Sequence, residues 1–226
     1  MLSLHRNQKL FIVLFFSILI TDIIFHNIEG LENYRYVSKL LITTSLMIYV
    51  CFNRKSLFKK EFILIILALI FSCGGDYILI ANPAAQLFSV GISMYMIAKI
   101  IYSFVFSFSA KFDIDRSLPF LTVTLLYSLL MIYFVYTGHR VPILLIMIYI
   151  FISLVMLKVA YLRFKIVNQK SYLYVLLGCV SFIVSESIIG IDKFYKPIFY
   201  ESVFGMFFYG LAQFLIIKGL LFRNKI

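Results

Sequence analysis

Two acids and a base stand out in this sequence because they interrupt stretches that are otherwise almost entirely apolar. Asp76 follows the glycine pair Gly74-Gly75 late in one apolar stretch, and Lys99 lies in the next. Glu186 lies late in another apolar stretch, much farther along the chain. Ionisable side chains in such surroundings cost about 2.5–3.5 kcal/mol each on membrane-insertion scales. Something must offset this cost, and a functional site is the first hypothesis.

Two carboxyl groups in apolar surroundings suit general acid–base chemistry. An apolar environment favours the protonated form of a carboxyl group, and two neighbouring carboxyl groups can divide the roles of acid and base. Asp76 is the first candidate for the central acid–base residue, and Glu186 is the candidate for the second carboxyl group. The alternatives are a structural ion pair of Asp76 with Lys99 or Lys39, and a helix–helix hydrogen bond for Glu186.

Five further polar residues are candidates for contact with a substrate: Lys39, Tyr95, Lys99, Tyr209 and Gln213. Lys39 would meet a phosphate headgroup or act as an interfacial anchor. Lys99 would orient Asp76, keep it ionised or bind a lipid phosphate. Tyr209 and Gln213 would position water or a hydroxyl group, although an interhelical hydrogen bond is the favoured alternative. We expect Asp76, Lys99, Glu186, Tyr209 and Gln213 to line one polar cavity, while Asp22 has no assigned role.

Helical spacing supports this picture for the stretch that contains Lys99. Gly91, Tyr95, Ala98, Lys99 and Tyr102 recur at intervals that place them on one face of a helix. The sequence therefore predicts that an acid and a base are carried by neighbouring apolar helices.

The composition identifies the class of protein that must position these residues. The chain is 63% hydrophobic, against about 45–50% in soluble domains. No polar stretch is long enough to form a soluble domain, so an all-α polytopic membrane protein is expected, with one integral membrane domain over residues 1–226. Its helices must be apolar enough and long enough, about 20 residues each, to cross roughly 30 Å of hydrocarbon.

Eight such transmembrane helices are predicted, with a turn at Asn82-Pro83 between the third and the fourth. The predicted spans are Leu10–His26, Tyr36–Phe52, Phe62–Ile80, Leu87–Phe108, Leu118–Tyr136, Val141–Leu162, Tyr172–Ile191 and Ile198–Leu221.

The basic residues predict the orientation. The net charge of +11 would suggest nucleic-acid binding only if it clustered on a folded polar surface, but the charges lie in short segments between apolar spans. Fourteen Lys and Arg residues fall on one side of the predicted membrane and four on the other. The positive-inside rule then places both termini in the cytoplasm. The expected location is the inner membrane of a bacterial cell.

Cysteine and histidine usage predicts no disulfide framework and no metal site. Cys51, Cys73 and Cys179 lie in separate apolar segments, and the three histidines lie at span ends or in loops. No cofactor is expected.

The fourth and eighth spans share a pattern that predicts an internal repeat. Both fit Gly-x3-Tyr-x2-Ala followed by a long polar residue, which is Lys99 in one and Gln213 in the other. Each follows a helix with a late carboxyl group, Asp76 or Glu186, at an offset of 110 residues. Two parallel four-helix halves, about 1–110 and 111–226, would explain this pattern. The alternative is that the shared pattern arose by chance, because a few types of residue make up most of this chain.

Short, ordered motifs between Tyr36 and Gly219 resemble those of the YhhN-like membrane protein family, which includes the lysoplasmalogenases. Gly75-Asp76 resembles the family's Gly-Asp motif late in the third span, and Ser185-Glu186 resembles its Ser-Asp in the seventh. Tyr209-x2-Ala212-Gln213 resembles its Tyr-x2-Ala-Gln in the eighth. Lys39-Leu40 is similar to its Lys-Pro.

This resemblance implies eight spans and hydrolysis of the vinyl ether bond of lysoplasmalogens, which gives a fatty aldehyde and a glycerophospho-base. The expected partner is then a membrane lipid or lysophospholipid, and no nucleic acid. Two departures are notable, because Lys99 stands where the family usually has His and Glu186 stands where it usually has Asp. A non-enzymatic lipid-binding protein or a small-solute or lipid transporter is the alternative function.

Overall fold

The computed structural model describes residues 2–81, 85–135 and 143–223. The predicted turn at Asn82-Pro83, the predicted end of the fifth span, Tyr136, and the predicted start of the sixth span, residues 141–142, lie outside these ranges. Within them, no residue is in a β-strand and nearly all are helical, which confirms the all-α class.

In the part of the chain that the structure describes, eight α-helices are long and apolar enough to cross a membrane, as the sequence predicts. They are α1 (Leu2–Asn27), α2 (Arg35–Phe52), α3 (Lys59–Ala81), α4 (Ala85–Ser107), α5 (Ile114–Val135), α6 (Ile143–Tyr161), α7 (Gln169–Phe194) and α8 (Glu201–Leu221). Their most apolar segments have mean hydropathies between 1.2 and 2.7. A helix satisfies its own backbone polar groups, so such segments fold as helices in hydrocarbon.

Contacts between helix ends indicate the helix directions. Ser202, at the start of α8, donates to Asn27 at the end of α1, and Arg223, just after α8, pairs with Glu61 near the start of α3. The start of α1 and the end of α8 therefore lie at one end of the bundle, which we name the terminal end. At the other end, the distal end, the odd-numbered helices finish and the even-numbered helices begin. Under the predicted orientation the terminal end faces the cytoplasm.

Helix α8 is the centre of the bundle, and α5 lies at its edge. In α8, 61% of the most apolar segment is buried, against 12% in α5. Helix α8 packs against α7, α1 and α2. Its contact with α7 is close, since a Cβ atom added at Gly178 would lie 3.0 Å from the Ala212 carbonyl oxygen. Glycine at this position allows the two backbones to approach.

At the terminal end, a fully buried arginine that follows α6 makes hydrogen bonds to the segment after α4 and to the start of α7. Arg163, just after α6, donates from Nε to Ser109 Oγ at 3.0 Å and from Nη2 to Ser171 Oγ at 3.1 Å. The Ser171 hydroxyl donates in turn to the Gly219 carbonyl at 2.7 Å. Burial, assisted by nearby Arg223, lowers the pKa of the Arg163 guanidinium to about 10. The group stays charged at neutral pH, so these hydroxyl contacts stabilise a buried cation.

Candidate functional site

Asp76 on α3 is fully buried and accepts hydrogen bonds from two tyrosine hydroxyl groups. Tyr95 Oη on α4 donates to its Oδ1 at 2.6 Å, and Tyr209 Oη on α8 donates to its Oδ2 at 2.7 Å. Lys39 Nζ on α2 lies 3.7 Å from Oδ1. Hydrogen bonds to an ionised acceptor are the strong ones. Four helices therefore meet at this carboxyl group.

A glycine beside the acid allows this arrangement. A Cβ atom added at Gly75 would lie 3.0 Å from Cε2 of Tyr95 and 3.2 Å from the Gly91 carbonyl oxygen. Both distances are shorter than ordinary van der Waals contacts. The absence of a side chain at Gly75 thus lets α3 and α4 approach until Tyr95 reaches Asp76.

Glu186 on α7 forms a second cluster with residues of α4 and α6. Lys99 Nζ makes an ion pair with its Oε1, and Tyr149 Oη donates to the same oxygen at 2.8 Å. Ser153 lies between these groups, 3.1 Å from Glu186 Oε2 and 2.7 Å from Lys99 Nζ. The structure therefore pairs Asp76 with Lys39 and Glu186 with Lys99, and Lys99 does not orient Asp76.

A cavity of about 130 Å³ adjoins both clusters. Its polar wall is formed by Lys39, Tyr95, Tyr209, Tyr149, Ser153 and Glu186. Its other walls are apolar and extend towards the distal end, where Phe88, Met131 and Phe194 line it. These six polar residues, which we name the polar floor, thus lie deep within the bundle, and the apolar part of the cavity lies nearer the distal end.

The expectation of a single polar cavity lined by five predicted residues is only partly correct. Glu186 and Tyr209 line the cavity, whereas Asp76, Lys99 and Gln213 lie behind its wall. The physical reason is that a buried charge is costly unless it is paired and hydrogen-bonded. Protein groups therefore surround Asp76 and Lys99, and tyrosine and serine hydroxyl groups stand between them and the cavity.

Gln213 makes an interhelical hydrogen bond, the alternative that the sequence favoured for it. It is fully buried one turn after Tyr209 on α8, and its Oε1 accepts from Tyr102 Oη of α4 at 3.0 Å. Gln213 therefore connects α4 to α8 directly behind the Asp76 cluster.

Two residues of α6, Tyr149 and Ser153, escaped the sequence analysis because α6 carries no acid to draw attention to them. One signal was available. Tyr149 follows Lys39 by 110 positions, the separation between Asp76 and Glu186. In each half, the second helix thus supplies a partner to the acid of the third.

The fourth helices exchange partners between the halves. Tyr209, from the second half, contacts Asp76, and Lys99, from the first half, contacts Glu186. This exchange supports the internal repeat, which stays a prediction. The two clusters also differ, since the lysine comes from the second helix beside Asp76 and from the fourth beside Glu186. Asp76 also accepts a hydrogen bond from Tyr95, which belongs to its own half.

Asp22, which had no assigned role, forms a separate cluster at the distal end. It is fully buried, accepts from Ser38 Oγ at 2.6 Å and lies 4.0 Å from Arg35 Nε. Arg35 precedes Lys39 by one turn of α2, so this cluster neighbours the Asp76 cluster without lining the cavity.

The chemistry that this arrangement offers is that of carboxyl and hydroxyl groups. One carboxyl group faces the cavity and the other is one hydrogen bond behind it. Among the residues described, no three His, Cys, Asp or Glu side chains are grouped to hold a metal ion. Cys51, Cys73 and Cys179 are free thiols.

Comparison with known proteins gives one match. The profile of the YhhN family matches residues 34–220, which extend from α2 to α8 and include both carboxyl clusters. A search of curated proteins and a search of solved structures each found no significant match.

Proposed function

The chain belongs to the YhhN family, and from this premise we propose that it is an ether hydrolase of the lysoplasmalogenase type. Its substrate would be a lysoplasmalogen, and its products a fatty aldehyde and a glycerophospho-base. The observation that carries the proposal is an intramembrane cavity with Glu186 on its wall, and with Asp76 bonded to the two wall tyrosines, Tyr95 and Tyr209. We place the protein in a bacterial inner membrane with both termini cytoplasmic.

Vinyl ether hydrolysis needs one acid and one base and consumes one water molecule. The acid transfers a proton to the β-carbon of the double bond, which leaves an oxocarbenium ion. Water adds to the α-carbon and gives a proton to the base. The hydroxyl group of the resulting hemiacetal then gives up its proton, the bond to the glycerol oxygen breaks, and that oxygen takes up a proton, which releases the aldehyde and the glycerophospho-base. Glycoside cleavage passes through a similar cation and also uses two carboxyl groups.

We assign the central acid–base role to Asp76 and the second role to Glu186. Glu186 faces the cavity directly, with 16% of its side chain exposed. Asp76 exchanges protons with the cavity through the hydroxyl groups of Tyr95 and Tyr209 that bind it. Lys39 lines the cavity, so a headgroup phosphate could pair with its ammonium group in place of Asp76. Without its cation, a carboxyl group in apolar surroundings favours the acid form that protonates a vinyl ether.

A carrier is the second candidate function, because two ion pairs lie among the apolar helices, and the predicted repeat would place them at the junction of two similar halves. The dense packing between the cavity and the terminal end of the bundle favours the enzyme over the carrier. Leu69, Phe106 and Ile216 are fully buried there, so a solute would have to displace a dense apolar core to leave the cavity on that side.

Aldehyde release by the purified protein tests the proposal. The protein in lipid nanodiscs would receive a 1-alkenyl lysophospholipid or, as matched control, the 1-alkyl analogue with the same headgroup and chain length. We expect aldehyde from the alkenyl lipid alone, because only a vinyl ether forms an oxocarbenium ion on protonation. If the wild-type protein and Asp76→Asn bind the lysolipid equally and neither releases aldehyde, the carrier replaces the enzyme.

A further inference from the structure

The cavity is too small to enclose a lipid. Its volume of about 130 Å³ is similar to that of an engineered protein cavity, about 150 Å³, that holds one benzene molecule. Sites that enclose a drug-sized ligand have about 300–1,000 Å³. A vinyl ether with a few neighbouring carbons fits this space, and the rest of a long hydrocarbon chain does not. Most of the chain of a bound lipid must therefore extend beyond the cavity.

Helix α5 is the wall that can open at least cost. Only 12% of its most apolar segment is buried, against 33% in α6 and 39% in α7. It packs against α6 and α7 and contributes Tyr127 and Met131 to the cavity lining. The hydrogen bonds and ion pairs described for Asp76 and Glu186 come from α2, α4, α6 and α8. Movement of α5 would leave both carboxyl clusters intact.

The contact between α5 and α7 lies beside a carboxyl group. Tyr127 Oη is 2.9 Å from Oγ of Ser187, the residue that follows Glu186. The Ser187 hydroxyl donates to the Ile183 carbonyl at 2.6 Å, so Tyr127 is the donor in the contact between helices. This polar link closes the wall at the depth of the polar floor.

One side of α5 is exposed and apolar. Leu126, Leu129 and Leu130 are each more than half exposed, as expected for side chains in contact with hydrocarbon. A chain that crosses this wall would pass from bilayer to cavity without contact with water, and no apolar surface would have to be hydrated.

We propose that the hydrocarbon chain of the bound lipid lies in a cleft between α5 and the α6–α7 pair, and that it leaves the cavity beside Tyr127. The headgroup then points to the distal end, beside Lys39. The inference depends on the proposed function only for the identity of the bond cleaved, because the same cleft would receive the chain of any single-chain lipid held in the cavity.

Linking α5 to α7 tests the cleft. Tyr127→Cys and Ser187→Cys would be introduced together after replacement of the three native cysteines by serine. A short bifunctional methanethiosulfonate would then join the new thiols reversibly. We expect linking to lower turnover of a long-chain alkenyl lysophospholipid by more than about tenfold, as for a blocked gating motion. A short-chain analogue with the same headgroup, which the cavity can hold, should be affected far less, and reduction should restore both activities.

A second pair of cysteines provides the matched control. Phe120 of α5 stacks on Tyr161 of α6 near the terminal end, with ring centroids 5.4 Å apart. Linking Phe120→Cys to Tyr161→Cys holds α5 at the end away from the cavity, so long-chain turnover should persist. If the link beside Tyr127 lowers turnover of long and short substrates equally, or lowers neither, the cleft is wrong.

The cleft and the proposed function can fail separately. If the wild-type protein cleaves neither substrate, the ether hydrolase is wrong, and the cleft is then tested by binding of a spin-labelled long-chain lysophospholipid. Loss of that binding on linking beside Tyr127 would support the cleft, and unchanged binding would overturn it.

Discussion

The Asp76 carboxyl group accepts hydrogen bonds from two tyrosine hydroxyl groups. Replacement by asparagine keeps the shape of this side chain but removes its titrating proton, so the variant tests proton transfer with little change in packing. We predict that Asp76→Asn lowers aldehyde release by about 10²–10⁴-fold, the usual contribution of general acid–base catalysis. Asp22→Asn is the matched control, because Asp22 is also fully buried but lies in a cluster that does not line the cavity. A similar loss in both variants, measured as turnover per folded protein, would show that burial and not chemistry explains the effect.

The ion pair between Lys99 and Glu186 predicts a large coupling in stability. Loss of one partner leaves a buried charge unpaired, which costs about 3–5 kcal/mol. We therefore expect Glu186→Gln and Lys99→Met each to lower the free energy of unfolding in detergent, and the double variant to lose much less than their sum. Additive losses in this double-mutant cycle would contradict the pair.

Glu186→Asp should behave differently from Glu186→Gln. It keeps the negative charge that Lys99 faces, and it restores the residue that the family usually has at this position. Activity in the aldehyde assay should survive Glu186→Asp and be lost in Glu186→Gln. Equal activity of the two variants would exclude a role for the charge.

Residue types predicted which polar side chains lie inside the bundle, but their division into two clusters and the pairing within each cluster needed the structure. Asp76, Glu186, Tyr95 and Tyr209 attracted attention because polar groups in apolar helices are costly. The partner of Lys99 could not be predicted from spacing. Tyr95 and Lys99 share a face of α4, yet one helical turn separates them by about 6 Å in depth. That rise brings Tyr95 to the acid of α3 and Lys99 to the acid of α7.

At the scale of helices, Gly75 sets the distance between α3 and α4. Gly75→Ala would place a methyl group 3.0 Å from the Tyr95 ring, and such overpacking costs about 1–3 kcal/mol. We predict lower thermal stability and weaker aldehyde release, because Tyr95 must move away from Asp76. Gly74→Ala is the control from the adjacent position, where the nearest atom to the new methyl group is Met94 Sδ at 3.9 Å. Equal tolerance of both substitutions would mean that the close approach is unimportant.

Hydropathy predicted every helix because each one must cross the same hydrocarbon thickness. It did not predict where α1 begins, since that helix starts at Leu2 and not at Leu10. Helical structure continues beyond the apolar segment, and hydropathy detects only the apolar part. The peripheral place of α5 was equally hidden, because a helix buried in protein and a helix exposed to lipid have similar composition.

For the whole molecule, the distribution of basic residues predicts that both termini are cytoplasmic. Reporter fusions after residue 226 and at Asn82 should therefore report opposite sides of the membrane. A phosphatase active only outside the cytoplasm and a fluorescent protein active only inside it would provide complementary signals. The same side at both positions would contradict eight crossings.

The pairing of Lys99 with Glu186 also bears on the order in which the protein can be assembled during translation. Helix α4 leaves the ribosome before α7 exists, so Lys99 enters the bilayer without its partner. A fragment that ends after α4 should keep this unpaired lysine in hydrocarbon and be degraded rapidly by membrane proteases. Coexpression of the two pieces, cut in the segment between α4 and α5, should protect both, because the second piece supplies the missing carboxylate.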